Sequence, residues 1–205
     1  MGSSSPSPTT AERILDAAEN AFAERGFAGA SLSQIAEAVG IRTPSLYSHF
    51  ASKRELFEAV ITRRMDGYIE AILSYLREPV NLERTESLLL ELMSYHAAHP
   101  NLARLVQQAA LSGEEEFEWL KKRWFDPIYA HLTEYMTDSN LEGDWKGEDL
   151  QLLLANFNNI MFSYVTLMPI HRDYLGDDPL CETWIRRQAA FMARLFREIW
   201  TRDDT

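Results

Sequence analysis

The segment ASLSQIAEAVGIRTPSLYSHFASKRELF, from Ala30 to Phe57, constrains the fold more than any other stretch. Ile35, Ala36 and Val39 have the spacing of one helical face, and Gly40 ends that run. A very short second helix follows Thr43–Pro44, where proline suits a first turn because its missing N–H is not needed there. Two short helices around a tight turn require close approach and a left-handed backbone position. Ala36 is small enough for the first and Gly40 is free to adopt the second. Ile35, Val39, Ile41, Leu46 and Phe50 are spaced to form the core that fixes the second helix at one angle.

That core leaves Arg42, Thr43, Ser45, Tyr47, Ser48 and His49 outside. Short hydroxyls reach base edges in a major groove, while Tyr and His reach phosphates. Ser52-Lys53-Arg54-Glu55 has the form of a capping box and opens a long helix reaching about Leu76. Lys53 in its first turn adds a charge beside free backbone N–H groups, a second phosphate contact. A helix starting near Thr9, boxed by Glu12, precedes all this. Ile14, Ala17, Ala18, Ala21 and Phe22 are its apolar face and Gly26 its end. Ser31 and Gln34 have the spacing of a further box.

The stretch from Ile14 to Leu56 resembles the DNA-binding domain of the TetR (tetracycline repressor) family. The resemblance is carried by Gly26-Phe27, Ile35-Ala36 to Gly40, and Leu46-Tyr47 to Phe50, Lys53 and Leu56. It departs from the family pattern at Thr43-Pro44, where Lys-Gly is frequent, and at Ser48, where an aromatic or His is frequent. Ala30 stands where a Thr often contacts phosphate, so that role falls to Ser31. The resemblance implies an all-α fold, a dimer held by a four-helix interface, and a ligand cavity between the middle helices.

Beyond this segment the sequence also reads as helix. Strand alternation is not sustained, and nine Gly and eight Pro are too few for a many-turned β protein. Helices are expected over 82–98, 101–111, 115–137 with a kink at Pro127, 147–168 and 180–200. DSNLEGDWKG and PIHRDYLGDDP read as loops. The organisation is then a tail over 1–8, a helix-turn-helix domain over 9–56, and a helical ligand-binding and dimerisation domain over 57–205.

Net charge of −11 opposes nucleic-acid binding if taken whole. It divides unevenly: residues 1–56 carry −1 and the remainder −10. DNA affinity depends on local positive charge, and Arg42, Lys53 and Arg54 fall together in the first part. The single cysteine, Cys181, gives no intramolecular disulfide. No apolar run reaches the ~20 residues of a membrane helix, and the first ten residues lack a signal-peptide pattern, so a cytoplasmic protein is expected.

Residues 57–205 hold 19 of the 23 aromatics, more than a helical core alone requires. The helix over 180–200 carries an apolar stripe from Trp184 to Ile199, and that over 147–168 is apolar nearly all round. These two are the expected homodimer contact. Asn156, Asn159 and Tyr164 are costly if buried unpaired, so they either bond across the dimer or point into a ligand cavity. Gln107, Trp119, Trp124 and Tyr129 are candidates for other walls of a cavity for an apolar or aromatic effector. His96 and His99 share a helical face, but spacing assigns no third metal ligand, and His99-Pro100 reads as a helix end. No phosphate loop or nucleophile motif is present, so neither an enzyme nor a cofactor is expected. The function expected is that of a ligand-responsive transcription regulator on operator DNA, a repressor released by its effector.

Overall fold

The computed structural model describes residues 7–77, 82–112, 115–138 and 147–200, and every regular element among them is a helix. The expected all-α architecture is observed. The head consists of α1 (Thr10–Gly29), α2 (Leu32–Val39) and α3 (Thr43–Tyr47). The long α4 (Lys53–Leu76) joins it to a body of α5 (Leu82–Ala98), α6 (Asn101–Ser112), α7 (Glu115–Leu120), α8 (Asp126–Asp138), α9 (Gly147–Thr166), α10 (Met168–Leu175) and α11 (Glu182–Trp200). No described helix is long and apolar enough to cross a membrane.

Local chemistry explains most boundaries. The box at α1 forms in full: Glu12 N donates to Thr9 Oγ1 at 3.2 Å, and Thr9 N donates to Glu12 Oε2 at 2.7 Å. Gly26, at φ 68°, breaks the regular helix three residues before its last turn ends. A side chain there would meet Gln108 of α6, whose Oε1 lies 3.2 Å from the position of a Cβ. At α4 only half the expected box is present. Ser52 Oγ accepts from Glu55 N at 3.0 Å, but the Glu55 carboxylate accepts from Ala51 N instead of Ser52 N. The box expected at Ser31 does not form. Its hydroxyl bonds Ser33, and the Gln34 side chain accepts from Arg25, which braces α2 against α1.

Two regions depart from the sequence expectation. Residues 115–138 run as one helical path, as expected, but the distortion near Pro127 takes the form of a five-residue π-helical turn, Lys121–Phe125, between α7 and α8. Pro127 cannot donate to the preceding turn, and the wider turn just before it absorbs the mismatch. The segment expected as a loop after Met168 is α10. Pro169 sits in its first turn, where proline starts a helix rather than breaking one, and Gly176 caps it with φ 71°.

One continuous core runs through head and body. Leu56, Phe57, Val60, Ile61, Met65, Tyr68 and Ile72 of α4 are all buried, so α4 is a wall shared by both parts. Phe57 takes Phe22 and Phe27 edge-on at 5.2 Å each. Along α11, Ile185, Ala189 and Met192 are buried, and that face packs on α5.

Candidate DNA-binding face and effector region

The turn between α2 and α3 is built as its sequence requires. Gly40 lies in the left-handed region, and Ile41 N and Gly40 N return to Ala36 O at 3.0 Å and Glu37 O at 2.9 Å. Arg13 of α1 donates to the Val39 carbonyl, placing a cation on the negative end of α2. Leu46 is fully buried and Phe50 nearly so, which anchors α3 from beneath. Its outer side carries Arg42, Ser45, Ser48 and His49 exposed, with Tyr47 half exposed and Thr43 half-buried. A side chain as large as Tyr47, half exposed on a short helix anchored from beneath, fits a surface that meets a partner.

The supporting residues are less free. The Ser48 hydroxyl donates to Ser45 O at 2.7 Å and Ser31 is half-buried, so neither projects as an open hydroxyl. Lys53 Nζ donates to Ala28 O at 3.1 Å and lies over the Phe27 ring, and burial lowers its pKa. Arg54 turns away from α3. It pairs with Glu58 at 2.9 Å, Glu115 at 3.0 Å and Glu116 at 3.6 Å, tying the first turn of α4 to α7. The local positive charge read from the sequence is therefore smaller at the outer face, which keeps Arg42 and Lys53.

The seven effector candidates do not share one cavity. Trp124 is buried, with its indole N–H on Asp66 Oδ1 at 3.1 Å. Trp119 stacks edge-on against it, yet also lines an open cleft with Leu15, Ala59 and Arg63 between head and body. Gln107 is half-buried on α6. Asn158, not Asn156 or Asn159, faces inward: its Nδ2 donates to Tyr129 Oη at 3.1 Å. Asn156 is exposed and donates back to Leu152 O, and Asn159 is exposed as well. Tyr164 donates to Pro179 O at 2.9 Å and lines a groove of about 910 Å³ between α9, α10 and α11. Of the two metal-site candidates, His96 is buried and His99 packs on the Tyr95 ring. No group of three or more His, Cys, Asp or Glu able to hold a metal occurs among the described residues.

Residues 14–60 match the model of the bacterial regulatory proteins of the tetR family. Over these residues, the head of the chain is similar to the DNA-binding domain of the TetR family. An HTH-type transcriptional repressor of Streptomyces coelicolor is 35% identical over 106 residues, 52% of each chain. The HTH-type transcriptional activator FasR of Mycolicibacterium smegmatis is 38% identical over 65 residues, 32% of this chain and 30% of that one. The chain thus spans about half the length of the first of these relatives and less of the second. The fold extends further than sequence identity. A TetR-like transcriptional regulator from Rhodococcus sp. RHA1 superposes with a TM-score of 0.68 over 98% of this chain and all of that one, at 20% identity.

Within this TetR-like head, the positions that depart from the common pattern have local explanations. Ala30 is buried, so it packs rather than contacts a ligand. Thr43 and Pro44 begin α3, with proline in its first turn. The polar contacts that sequence reasoning missed, Arg54 to α7 and Asn158 to Tyr129, depend on helix rotation and long-range packing. No local motif announces them.

Proposed function

We propose that this chain is a DNA-binding transcription regulator, a repressor, that binds operator DNA as a homodimer and releases it when a small, largely apolar effector occupies the body. The observation that carries the reading is the rigidly anchored α3, with Tyr47, Ser45, Arg42 and His49 directed outward. A helix of this size enters a major groove, with Thr43 and Ser45 at base edges and Tyr47, His49 and Lys53 toward phosphates, joined by Ser48 once its hydroxyl leaves Ser45 O. Ser31, at the start of α2, supports the backbone contact.

The partner reading rests on the surface of the last helices. Leu152, Ile170, Tyr174, Phe191 and Leu195 are large, apolar and at least two-fifths exposed in the single chain. A second copy covers them, which gives two reading heads and a roughly palindromic site. Regulation follows from α4. Its 24 residues run from Lys53 at the head to the body, a lever of about 36 Å. An effector that shifts the far end of α4 turns the heads and changes their spacing. The acidic balance of the body disfavours an anionic effector.

Selection of bound fragments from a genomic library tests the reading. Enrichment of fragments sharing an inverted repeat, reversed by a metabolite pool, is expected. Recovery of bulk DNA without a shared site overturns it.

A further inference from the structure

Tyr68 of α4 and His96 of α5 meet in the core of the body, with ring centroids 5.0 Å apart. Phe162 of α9 closes on His96 from another side at 5.5 Å. Tyr68 is 2% exposed and His96 fully buried. The Tyr68 hydroxyl and both ring nitrogens of His96 have no hydrogen-bond partner among the described residues. Neighbouring polar groups do better: Tyr95 Oη donates to Arg64 O, Trp124 Nε1 to Asp66, and Tyr129 Oη accepts from Asn158. Buried polar atoms are paired as a rule. Three unpaired ones in a single contact between three helices are not a packing solution, because Phe and Leu would fill the same space without the penalty.

No described residue brings a full charge against this pair. His99, three residues on and just past the end of α5, is held against Tyr95, whose hydroxyl donates to the backbone carbonyl of Arg64, the ion-pair partner of Glu19. Burial, with a smaller effect from His99, lowers the His96 pKa to about 4, and burial raises that of Tyr68. Both groups are neutral at neutral pH.

Building on the effector reading above, we propose that Tyr68 and His96 are the polar end of the effector site, and that they take an uncharged hydroxyl or carbonyl group of an otherwise apolar molecule. A neutral imidazole offers one donor and one acceptor, and a phenol offers both, which together match a hydroxyl or carbonyl group. An ionised carboxylate or ammonium would be stranded beside Phe162 in the buried core without a counter-charge. The pair is enclosed, so the ligand enters by parting α4 from α5 and α9, the class of minor-state pocket made dominant by its occupant. That displacement acts on α4 directly, the helix that carries Lys53 at its other end.

The test uses the full chain near neutral pH, with 2-naphthol, 2-naphthoate and naphthalene as probes and Tyr68→Phe and His96→Leu as variants. Each variant is expected to melt about 2 °C above the wild type, because it removes an unpaired polar group. Wild type is expected to bind 2-naphthol at least about tenfold more tightly than 2-naphthoate, and each variant to lose about tenfold in 2-naphthol affinity while keeping naphthalene. Variants that melt several degrees lower overturn the proposal, since the groups are then satisfied internally by water. So do preference for 2-naphthoate, unchanged 2-naphthol affinity in both variants, or no binding of 2-naphthol. Operator binding measured in the same samples separates the two claims. Tyr68-dependent 2-naphthol binding that leaves operator affinity unchanged preserves the site and removes the effector reading. Operator release by other compounds that is indifferent to both variants removes the site alone.

Discussion

Glu19, buried on α1, accepts from both Arg63 and Arg64 of α4 through one oxygen, at 2.7 Å each. The carboxylate clamps the reading head to the lever that carries it. Asp16 adds a second contact to Arg63 at 2.8 Å. Glu19→Gln is expected to cost about 2 kcal/mol, below the ~3–5 of a fully buried pair because both arginines reach solvent. Denaturant unfolding checks this: an unchanged midpoint shows that the clamp is decorative.

The DNA face yields a paired prediction. Tyr47→Ala and Lys53→Ala should weaken operator binding for all sequences alike. Lys53→Ala should also reduce the salt slope by about one. Lys53 must leave Ala28 O to reach a phosphate, so its loss costs less than that of an unencumbered lysine. Changes at Thr43 or Ser45 should instead alter base preference, read by competition among operator variants.

The apolar surface of α10 and α11 predicts the assembly. Tyr174→Glu and Phe191→Glu put carboxylates into the expected contact between copies, and each should weaken self-association at least about tenfold. Sedimentation equilibrium measures it. Dimers of undiminished stability in both variants place the interface elsewhere.

His96 makes stability depend on pH. Its folded pKa, about 4, lies below its unfolded value, so as pH falls the unfolded chain takes up the proton first. The His96 contribution is complete above the unfolded pKa of about 6.5 and is lost as pH falls toward about 4. Between pH 7 and 5 the loss amounts to about 2 kcal/mol. His96→Leu should lack this share of the acid destabilisation. Parallel pH–stability curves for the two proteins contradict the assignment.

The head was legible because its signals are local. Gly40, the Thr9–Glu12 box and the spacing from Ile35 to Phe50 each act within a turn or two. The body was legible as helices but not as a site. Where α9 is apolar nearly all round, sequence does not reveal its rotation, so Asn156 and Asn159 were as good candidates as Asn158, which alone of the three contacts Tyr129. Pro169 reads equally as a breaker and as a first-turn residue, and only the cap at Gly176 decides for α10. By spacing His96 shares a helical face with His99, yet in the fold its ring packs on Tyr68, 28 positions earlier and on another helix.

The central claim is that α3 reads DNA, and equilibrium binding to a selected inverted repeat tests it most directly. Wild type and Tyr47→Ala are titrated against that site and a scrambled duplex over a range of salt. The account predicts two protomers per site, a preference of about a thousandfold or more over the scrambled duplex, and a steep fall with salt. It also predicts a large loss in folded Tyr47→Ala. Equal affinity for both duplexes, or full affinity in Tyr47→Ala, contradicts it.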